Sequence, residues 1–322
     1  METRMSRGIR IGTLVAVASL SFAGLVARGE QEEPRKVVID TLNVRDTLYH
    51  LTGGGGNSLG LWDEFGSNFV VVDTKRPGWG QALLEPIMLI GDQPVTMIIN
   101  THCHLDHTGS NAEIPTVRQI VAHENTKANM AKMDAFKDAN ARFLPNKTFT
   151  DRLSLLDGIN RIDLYYFGAG HTNGDIVVVF PEKGVAHVGD LFASKAAPFI
   201  DTANGGSGVD YPETLARAVA SIKGISRVIT GHTGIPDSYA GAGRRSAERT
   251  SPDPKRRYMT WDDLQEYADF NRDFLAAVRE ALKAGKSVDE AAASLHLSDR
   301  YKAYDMTRAR ANVEAIYGQL KK

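Results

Sequence analysis

Short apolar runs, many of them rich in β-branched residues, recur along the first quarter of the chain and are separated by glycine-rich turns. Such runs predict strands, and they occupy residues 37–39, 48–51, 58–62 and 68–73. The pattern indicates an antiparallel β arrangement at the start of the domain. The four consecutive glycines Gly53 to Gly56 are predicted to form a flexible hairpin turn rather than a phosphate-binding loop, because neither a Gly-Lys-Ser/Thr motif nor a helix follows them.

Beyond residue 80, segments with the period of a helix alternate with segments typical of strands. Helices are predicted at residues 83–90, 123–136 and 212–223. Strands are predicted at residues 95–100, 117–122, 162–167, 176–181, 184–188 and 227–230. Strands interleaved with helices indicate a layered α/β (α+β) architecture, with sheets inside and helices outside.

The last third of the chain is predicted to be an exposed loop followed by helices. Residues 241–260 are rich in Gly, Ser, Pro and Arg, which is typical of a loop. Thr260 with Asp263 and Ser287 with Glu290 fit capping boxes, which begin helices. We therefore divide the chain into a main domain over residues 37–240, a loop over 241–260 and a helical extension over 261–322. This extension should pack on the core or on another subunit.

The first 29 residues differ from the rest of the chain. Three arginines precede an uncharged run over residues 11–27, and small residues flank Arg28. This is the pattern of a secretory signal peptide, residues 1–29. An uncleaved membrane anchor is the alternative, because 17 uncharged residues approach the length of a membrane span. We predict an exported protein, periplasmic or secreted, without stable membrane association once the signal peptide is removed.

Composition narrows the class of partner. The chain is 42% hydrophobic and 24% charged, with a net charge of -1, values typical of a globular protein. A near-neutral charge argues against nucleic-acid binding, which needs a strongly basic face, so we expect a small-molecule substrate. The single cysteine, Cys103, excludes an intrachain disulfide.

A dense group of potential metal ligands follows the predicted strand 95–100. His102, His104, Asp106 and His107 lie within six positions. In an extended segment alternate side chains point the same way, so the first three should converge while Cys103 points into the core. His107 joins them if the chain turns into a helix. Imidazole and carboxylate ligands suit zinc, iron or manganese better than calcium.

Three further candidate ligands each follow an apolar strand and a glycine. They are His171, Asp190 and His232, and the glycines permit tight turns at the strand ends. The other histidines lack this setting. His187 lies inside a predicted strand and is expected to have a structural or supporting role, and His123 begins a predicted helix.

The order HxHxDH, Gly-His, Gly-Asp, Gly-His resembles that of the metallo-β-lactamase fold superfamily over about residues 48–236. The resemblance implies a four-layer αββα sandwich with a helical C-terminal tail and two metal ions at one edge. It implies that His102, His104 and His171 hold the first metal, that Asp106, His107 and His232 hold the second, and that Asp190 bridges them. Two zinc ions are expected, with iron or manganese as alternatives.

The same resemblance implies a hydrolase in which the paired ions lower the pKa of a shared water and Asp106 helps to move its proton. Asp190 makes the ligand set similar to those of glyoxalase II, lactonases, arylsulfatase-type enzymes and phosphodiesterases. The presence of Asp190 distinguishes this ligand set from that of the metallo-β-lactamases nearest in pattern. We expect cleavage of an ester-, lactone- or lactam-like bond, and fold and metals leave the substrate open.

Two other functions stay open from sequence. One is a mononuclear iron enzyme that uses oxygen, as in persulfide dioxygenases of the same fold, and the other is a noncatalytic metal-binding protein. Position along the chain predicts the walls of the substrate pocket: residues 192–207, and the turn 53–57 with Trp62.

Overall fold

The computed structural model of the protein describes residues 35–42, 47–63, 65, 68–232 and 258–321. The predicted signal peptide and most of the predicted loop 241–260 lie outside these ranges. In the described part of the chain, no helix has the length and apolar character needed to cross a membrane.

Seven strands form the first sheet, and their order in the sheet is their order in the chain. They are β1 (Val38–Thr41), β2 (Leu48–Thr52), β3 (Ser58–Asp63), β4 (Asn68–Val72), β5 (Val95–Ile99), β6 (Gln119–His123) and β7 (Lys147–Phe149). The first four pair antiparallel, as predicted, and the pairings from β4 to β7 are parallel. The parallel pairs are connected through α1 (Gly80–Met88), α2 (Leu105–Thr108) and α3 (Glu124–Met130).

The second sheet has five strands, in the order β12-β11-β10-β9-β8. They are β8 (Arg152–Leu155), β9 (Ile162–Tyr166), β10 (Ile176–Phe180), β11 (Val185–His187) and β12 (Arg227–Ile229). Strands β8 to β11 pair antiparallel, and β12 pairs parallel to β11. Helix α4 (Tyr211–Ser221) makes the connection that this parallel pair requires.

Alternate residues of the central strands face different apolar clusters, and these clusters separate the layers of the fold. Val70 and Val72 of β4 pack with Ile176 and Val178 of β10 between the sheets. The intervening residues of β4 face a separate cluster beneath α1, and those of β10 face the cluster beneath α4. Both faces of β10 are therefore buried, which accounts for its uninterrupted apolar sequence. The four-layer αββα sandwich is confirmed.

The C-terminal region is helical and packs on the second sheet's helical layer of the same chain. It contains α5 (Trp261–Lys283), α6 (Val288–Ala293) and α7 (Ala309–Leu320). Both predicted capping boxes are present, at Thr260 and at Ser287. Apolar residues of α5 such as Leu264 and Val278 are buried in one cluster with Leu215 of α4. The helices thus extend the core rather than form a separate domain.

The predicted helix 123–136 is too long. Helix α3 ends at Met130, and two short 3-10 turns follow it. The chain folds back here because Met130 and Phe136 are both buried against Cys103. Strands β7 and β8 had no predicted counterpart, since each is three or four residues long, lies at the edge of its sheet and carries exposed polar residues.

Candidate metal centre

The seven predicted ligands lie in segments that follow strands of both sheets, and the structure brings all of them to one place. Ligand atoms of each group lie within 4.8 Å of one another. One group contains His102, His104, His171 and Asp190, and another contains Asp106, His107 and His232.

The segment that carries the first four ligands is not an extended strand, so the predicted alternation of side chains is wrong there. Strand β5 ends at Ile99, and His104 is the N-cap residue of α2. Asp106 and His107 therefore project from a single helical turn. The turn is closed by the Thr108 hydroxyl, which donates to the His104 carbonyl at 3.0 Å.

Partners of the opposite ring nitrogen orient two imidazoles of the first group. His104 Nε2 lies 2.7 Å from Asp201 Oδ2, and His171 Nδ1 lies 2.7 Å from the Phe199 carbonyl. This leaves His104 Nδ1 and His171 Nε2 facing each other at 2.9 Å. A partner on one nitrogen fixes which nitrogen is offered to a metal.

Asp73 and Thr101 orient the remaining two rings of the HxHxDH motif. His102 Nδ1 lies 3.0 Å from Thr101 Oγ1, and His107 Nδ1 lies 2.7 Å from Asp73 Oδ2. The Nε2 atoms of both rings are therefore directed into the centre. His107 Nε2 lies 3.8 Å from Asp106 Oδ2.

Asp190 connects the two groups. Its Oδ1 lies 3.4 Å from His107 Nε2, and its Oδ2 lies 3.4 Å from His232 Nε2 and 3.7 Å from His171 Nε2. A Cβ on Gly231 would lie 1.8 Å from Asp190 Oδ1. The glycine before His232 therefore makes room for the shared carboxylate.

Three of these donor atoms are buried without a hydrogen-bond partner in the described part of the chain. They are His102 Nε2, His107 Nε2 and Asp190 Oδ1. An unsatisfied buried polar atom costs about 1–3 kcal/mol, so three in one place point to a ligand that satisfies them. Imidazoles and carboxylates are the donors that divalent transition metals prefer, and the residues fit a pair of such ions.

The two ligand groups differ in the protonation state of their buried histidines. Burial lowers the pKa of His171 to about 4 and holds the pKa of His102 well below its usual range. Both rings are therefore neutral, as ligation requires. Burial opposes the charge of His107 too, but Asp73 and Asp190 outweigh it and raise the pKa of His107 to about 10. A metal that binds the second group near neutral pH must displace this proton.

The chain matches the profile of the Metallo-beta-lactamase superfamily over residues 35–259. It belongs to that superfamily. The solved metallo-beta-lactamase from Pontibacter korlensis has a TM-score of 0.51 at 20% identity and covers 61% of this chain and 91% of its own, which supports the fold.

Sequence relatives carry more than one activity in their names. The Metallo-beta-lactamase type 2 of Bacillus sp. (strain 170) is 24% identical over 70% of this chain and 90% of its own. The Hydroxyacylglutathione hydrolase of Synechocystis sp. is 31% identical over 50% and 56%. The 2,4-dinitroanisole O-demethylase subunit alpha of Nocardioides sp. is 30% identical over 46% of this chain, a match that spans less than half, 44%, of that relative. Membership of the superfamily therefore supports a hydrolase-type fold, but the relatives do not point to a single substrate.

Asp73 is a site residue of this superfamily member that sequence reasoning missed. It accepts hydrogen bonds from the Thr101 backbone N–H at 2.7 Å, from the Thr101 hydroxyl at 2.6 Å and from His107. Although it lies close enough to His102 and His107 to form a ligand group with them, both of its oxygens are engaged. It is therefore a positioning residue. The available signal was a carboxylate directly after the apolar run of β4.

Asp201 is a second site residue that sequence reasoning missed. Its Oδ1 accepts from the backbone N–H groups of Ala203 and Asn204 at 3.1 and 3.2 Å, while its Oδ2 faces His104. The local sequence Asp201-Thr202-Ala203-Asn204 is typical of a turn stabilised by an aspartate. Its contact with a ligand 97 positions earlier depends on the fold.

The glycine turn joins β2 to β3, as predicted, and it lies directly behind the second ligand group. A Cβ on Gly56 would lie 2.1 Å from His107 Cε1, and one on Gly55 would lie 2.9 Å from Asp106 Cβ. Lys75, fully buried, donates to the carbonyls of Gly56 and Leu51 at 2.6 and 2.9 Å. The turn is thus held in place, and the glycines allow its backbone to approach the ligands closely.

The remaining predictions about individual residues agree with the structure. His187 Nδ1 accepts from the Gly189 N–H at 3.1 Å and its Nε2 faces the Asn57 carbonyl at 3.1 Å, so both nitrogens have structural partners. His123 is the N-cap of α3. Cys103 is fully buried in the core, and burial raises the pKa of its thiol to about 12.

A cleft of about 850 Å³ opens beside His104 and Asp106. Its other lining residues are Arg76, Pro77, Trp79, Leu105, Met133 and Phe199. Phe199 comes from the predicted wall 192–207. The prediction of Trp62 is wrong, because that ring packs in the cluster beneath α1. The glycine turn lies behind the wall, where Gly54 is packed against Trp79.

Proposed function

We propose that the protein is a metal-dependent hydrolase that uses two divalent metal ions, zinc being the expected metal, to cleave an ester-, lactone- or lactam-like bond in a small molecule. One observation carries the proposal: Asp190 of the first ligand group also lies 3.4 Å from His107 and from His232 of the second, and three buried donors have no hydrogen-bond partner in the described part of the chain. Membership of a superfamily that includes hydrolases supports the same reaction class.

The residues that would hold the ions follow from the free ligand atoms. His102 Nε2, His104 Nδ1 and His171 Nε2 would hold one ion; Asp106, His107 Nε2 and His232 Nε2 would hold the other; and Asp190 would contact both. When bound, such a pair lowers the pKa of a shared water and polarises the bond under attack.

Asp106 is the acid–base residue of this proposal. Its side chain is 25% exposed and lines the cleft, whereas Asp190 is 11% exposed. Its carboxylate can accept a proton from the attacking water and pass it to the leaving group, a role that typically contributes 10²- to 10⁴-fold to a rate. His232 Nε2 of the same ligand group lies 3.5 Å from Asp106 Oδ2.

A substrate panel tests this function. The protein is stripped with a chelator, reloaded with zinc and assayed against chromogenic lactam, lactone, thioester, sulfate ester and phosphodiester compounds. We expect turnover of at least one carbonyl substrate only after reloading, and a fall of about 100-fold or more for Asp106→Asn. If the fully loaded protein hydrolyses none of them, the hydrolase assignment fails and a noncatalytic metal-binding role is favoured.

We also propose that residues 1–29 direct export and are then removed. The support is the order of arginines, uncharged run and small residues in that segment. Intact-mass analysis of protein recovered outside the cytoplasm should give a mass that begins near Glu30. A mass that retains Met1, together with recovery in the membrane fraction, would favour an uncleaved anchor.

A further inference from the structure

The walls of the cleft are apolar and exposed. Of the six large apolar side chains that are exposed in the described part of the chain, Leu105 (37%) and Phe199 (48%) line this cleft. Trp79 and Met133 extend the same surface. Apolar surface grouped beside a reactive centre is typical of a ligand pocket.

Phe199 is a fixed part of the first ligand group. Its ring stacks on His104 with a centroid distance of 5.8 Å and an interplanar angle of 26°. Its carbonyl lies 2.7 Å from His171 Nδ1. An apolar group that packs on Phe199 would therefore lie next to the first metal-binding group.

Arg76 lies at the side of the cleft nearer the second group, and three hydrogen bonds hold its backbone. Its N–H donates to the Gly54 carbonyl at 3.0 Å, and its carbonyl accepts from the Ser110 hydroxyl at 2.6 Å and from the Trp79 N–H at 3.2 Å. A Cβ on Gly55 would lie 3.2 Å from Arg76 Cγ. The stem of the side chain thus packs over the glycine that lies on Asp106.

The Arg76 guanidinium lacks an ion-pair partner among residues 35–42, 47–63, 65, 68–232 and 258–321, and its side chain is exposed. It is the charged member of the cleft lining apart from His104 and Asp106. A guanidinium binds a carboxylate through two parallel hydrogen bonds. The cleft lining therefore combines an apolar wall with the guanidinium of one arginine, whose backbone is held in place.

We propose that Arg76 is a specificity residue that binds a carboxylate of the substrate. The substrate class is a small molecule with an apolar, aromatic or alkyl, body that packs on Trp79 and Phe199, and with a carboxylate on the Asp106 side of the bond to be cleaved. This inference rests on the proposed hydrolase function for the bond, and on the cleft alone for the recognition of the anion.

The test compares a charged substrate with a neutral counterpart, and it uses a second exposed arginine as the control. A hydrolysable compound with a free carboxylate and its neutral carboxamide counterpart are assayed with wild type, Arg76→Met, Arg76→Lys and Arg118→Met, Arg118 being an exposed arginine outside the cleft lining. We expect Arg76→Met to lower kcat/KM for the carboxylate on the order of 10- to 100-fold and to change it for the neutral compound by less than about twofold. Lysine should retain part of the preference, and Arg118→Met should retain all of it.

A binding measurement separates this proposal from the function on which it rests. Calorimetry with 3-phenylpropionate and zinc-loaded protein should give a Kd on the order of tenfold weaker for Arg76→Met than for wild type. If no compound is hydrolysed but this difference is found, the hydrolase function fails and the anion site stands. Equal Kd values, or equal losses for the charged and neutral substrates, would overturn the role of Arg76.

Discussion

Replacement of Asp190 by alanine should remove most hydrolysis and weaken the second metal most, while leaving the fold intact. Asp190 Oδ1 has no hydrogen-bond partner among the described residues, and the carboxylate faces the imidazoles of the centre rather than the hydrophobic core. Residues that merely support metal ligands contribute 10- to 100-fold, and the carboxylate shared by both groups should therefore contribute more than about 100-fold. His102, His104 and His171 remain to hold the first metal.

Metal content, circular dichroism and turnover of Asp190→Ala are measured beside Asp92→Ala, a change at an exposed aspartate outside the centre. The companion Asp190→Cys offers a thiolate, which zinc accepts at a single ion, and lactam and ester turnover are compared in both. Wild-type turnover by Asp190→Ala with two bound metals would show that another carboxylate connects the ions.

Replacement of Asp73 by asparagine should weaken the second metal by about 10- to 100-fold, because the ring of His107 loses its orienting carboxylate. The structural reason is the 2.7 Å contact between Asp73 Oδ2 and His107 Nδ1. Zinc titrations of stripped protein, followed by calorimetry, measure the affinity. The first metal should change less, since the hydrogen-bonded link from Asp73 to His102 runs through the Thr101 hydroxyl.

The same substitution has a pH signature in the metal-free protein. The pKa of His107 is raised to about 10 in the folded chain, from about 6.5 when unfolded. The resulting stabilisation is fully present below about pH 6.5 and is lost as pH rises through 10. The difference in unfolding free energy between wild type and Asp73→Asn should therefore be larger at about pH 6 than at about pH 10.

Thr101→Val is the control for this profile, because it removes hydrogen bonds to Asp73 and His102 without removing a charge. Its destabilisation should vary little with pH. A pH-independent difference for Asp73→Asn would mean that Asp73 does not hold the His107 proton.

Sequence reasoning reached the fold and the ligand motif, because both depend on local pattern. The uninterrupted apolar run of β10 and the two capping boxes are properties of a few neighbouring residues. Asp73 and Asp201 act on histidines 34 and 97 positions away. Such contacts appear only when the loops are packed against one another in the folded chain.

Predictions from local sequence pattern were wrong where a second structural requirement acts on the same residues. Alternation predicted an extended chain through Asp106, but α2 begins at Leu105 and presents Asp106 and His107 from one turn. Likewise, a run of four glycines indicates a flexible turn. In the structure this turn is held in place, because Lys75 binds its backbone and it packs against Asp106 and His107. The glycines are required by close approach to His107 rather than by mobility.

Elemental analysis tests directly whether the centre holds two metal ions. Purified protein is stripped, titrated with zinc and assayed for bound metal and turnover at each step. We expect about two ions per chain, with turnover that rises as the second ion binds. Full turnover at one metal per chain, unchanged by further metal, would contradict it, and a single iron with a visible absorption band would favour the oxygen-using alternative.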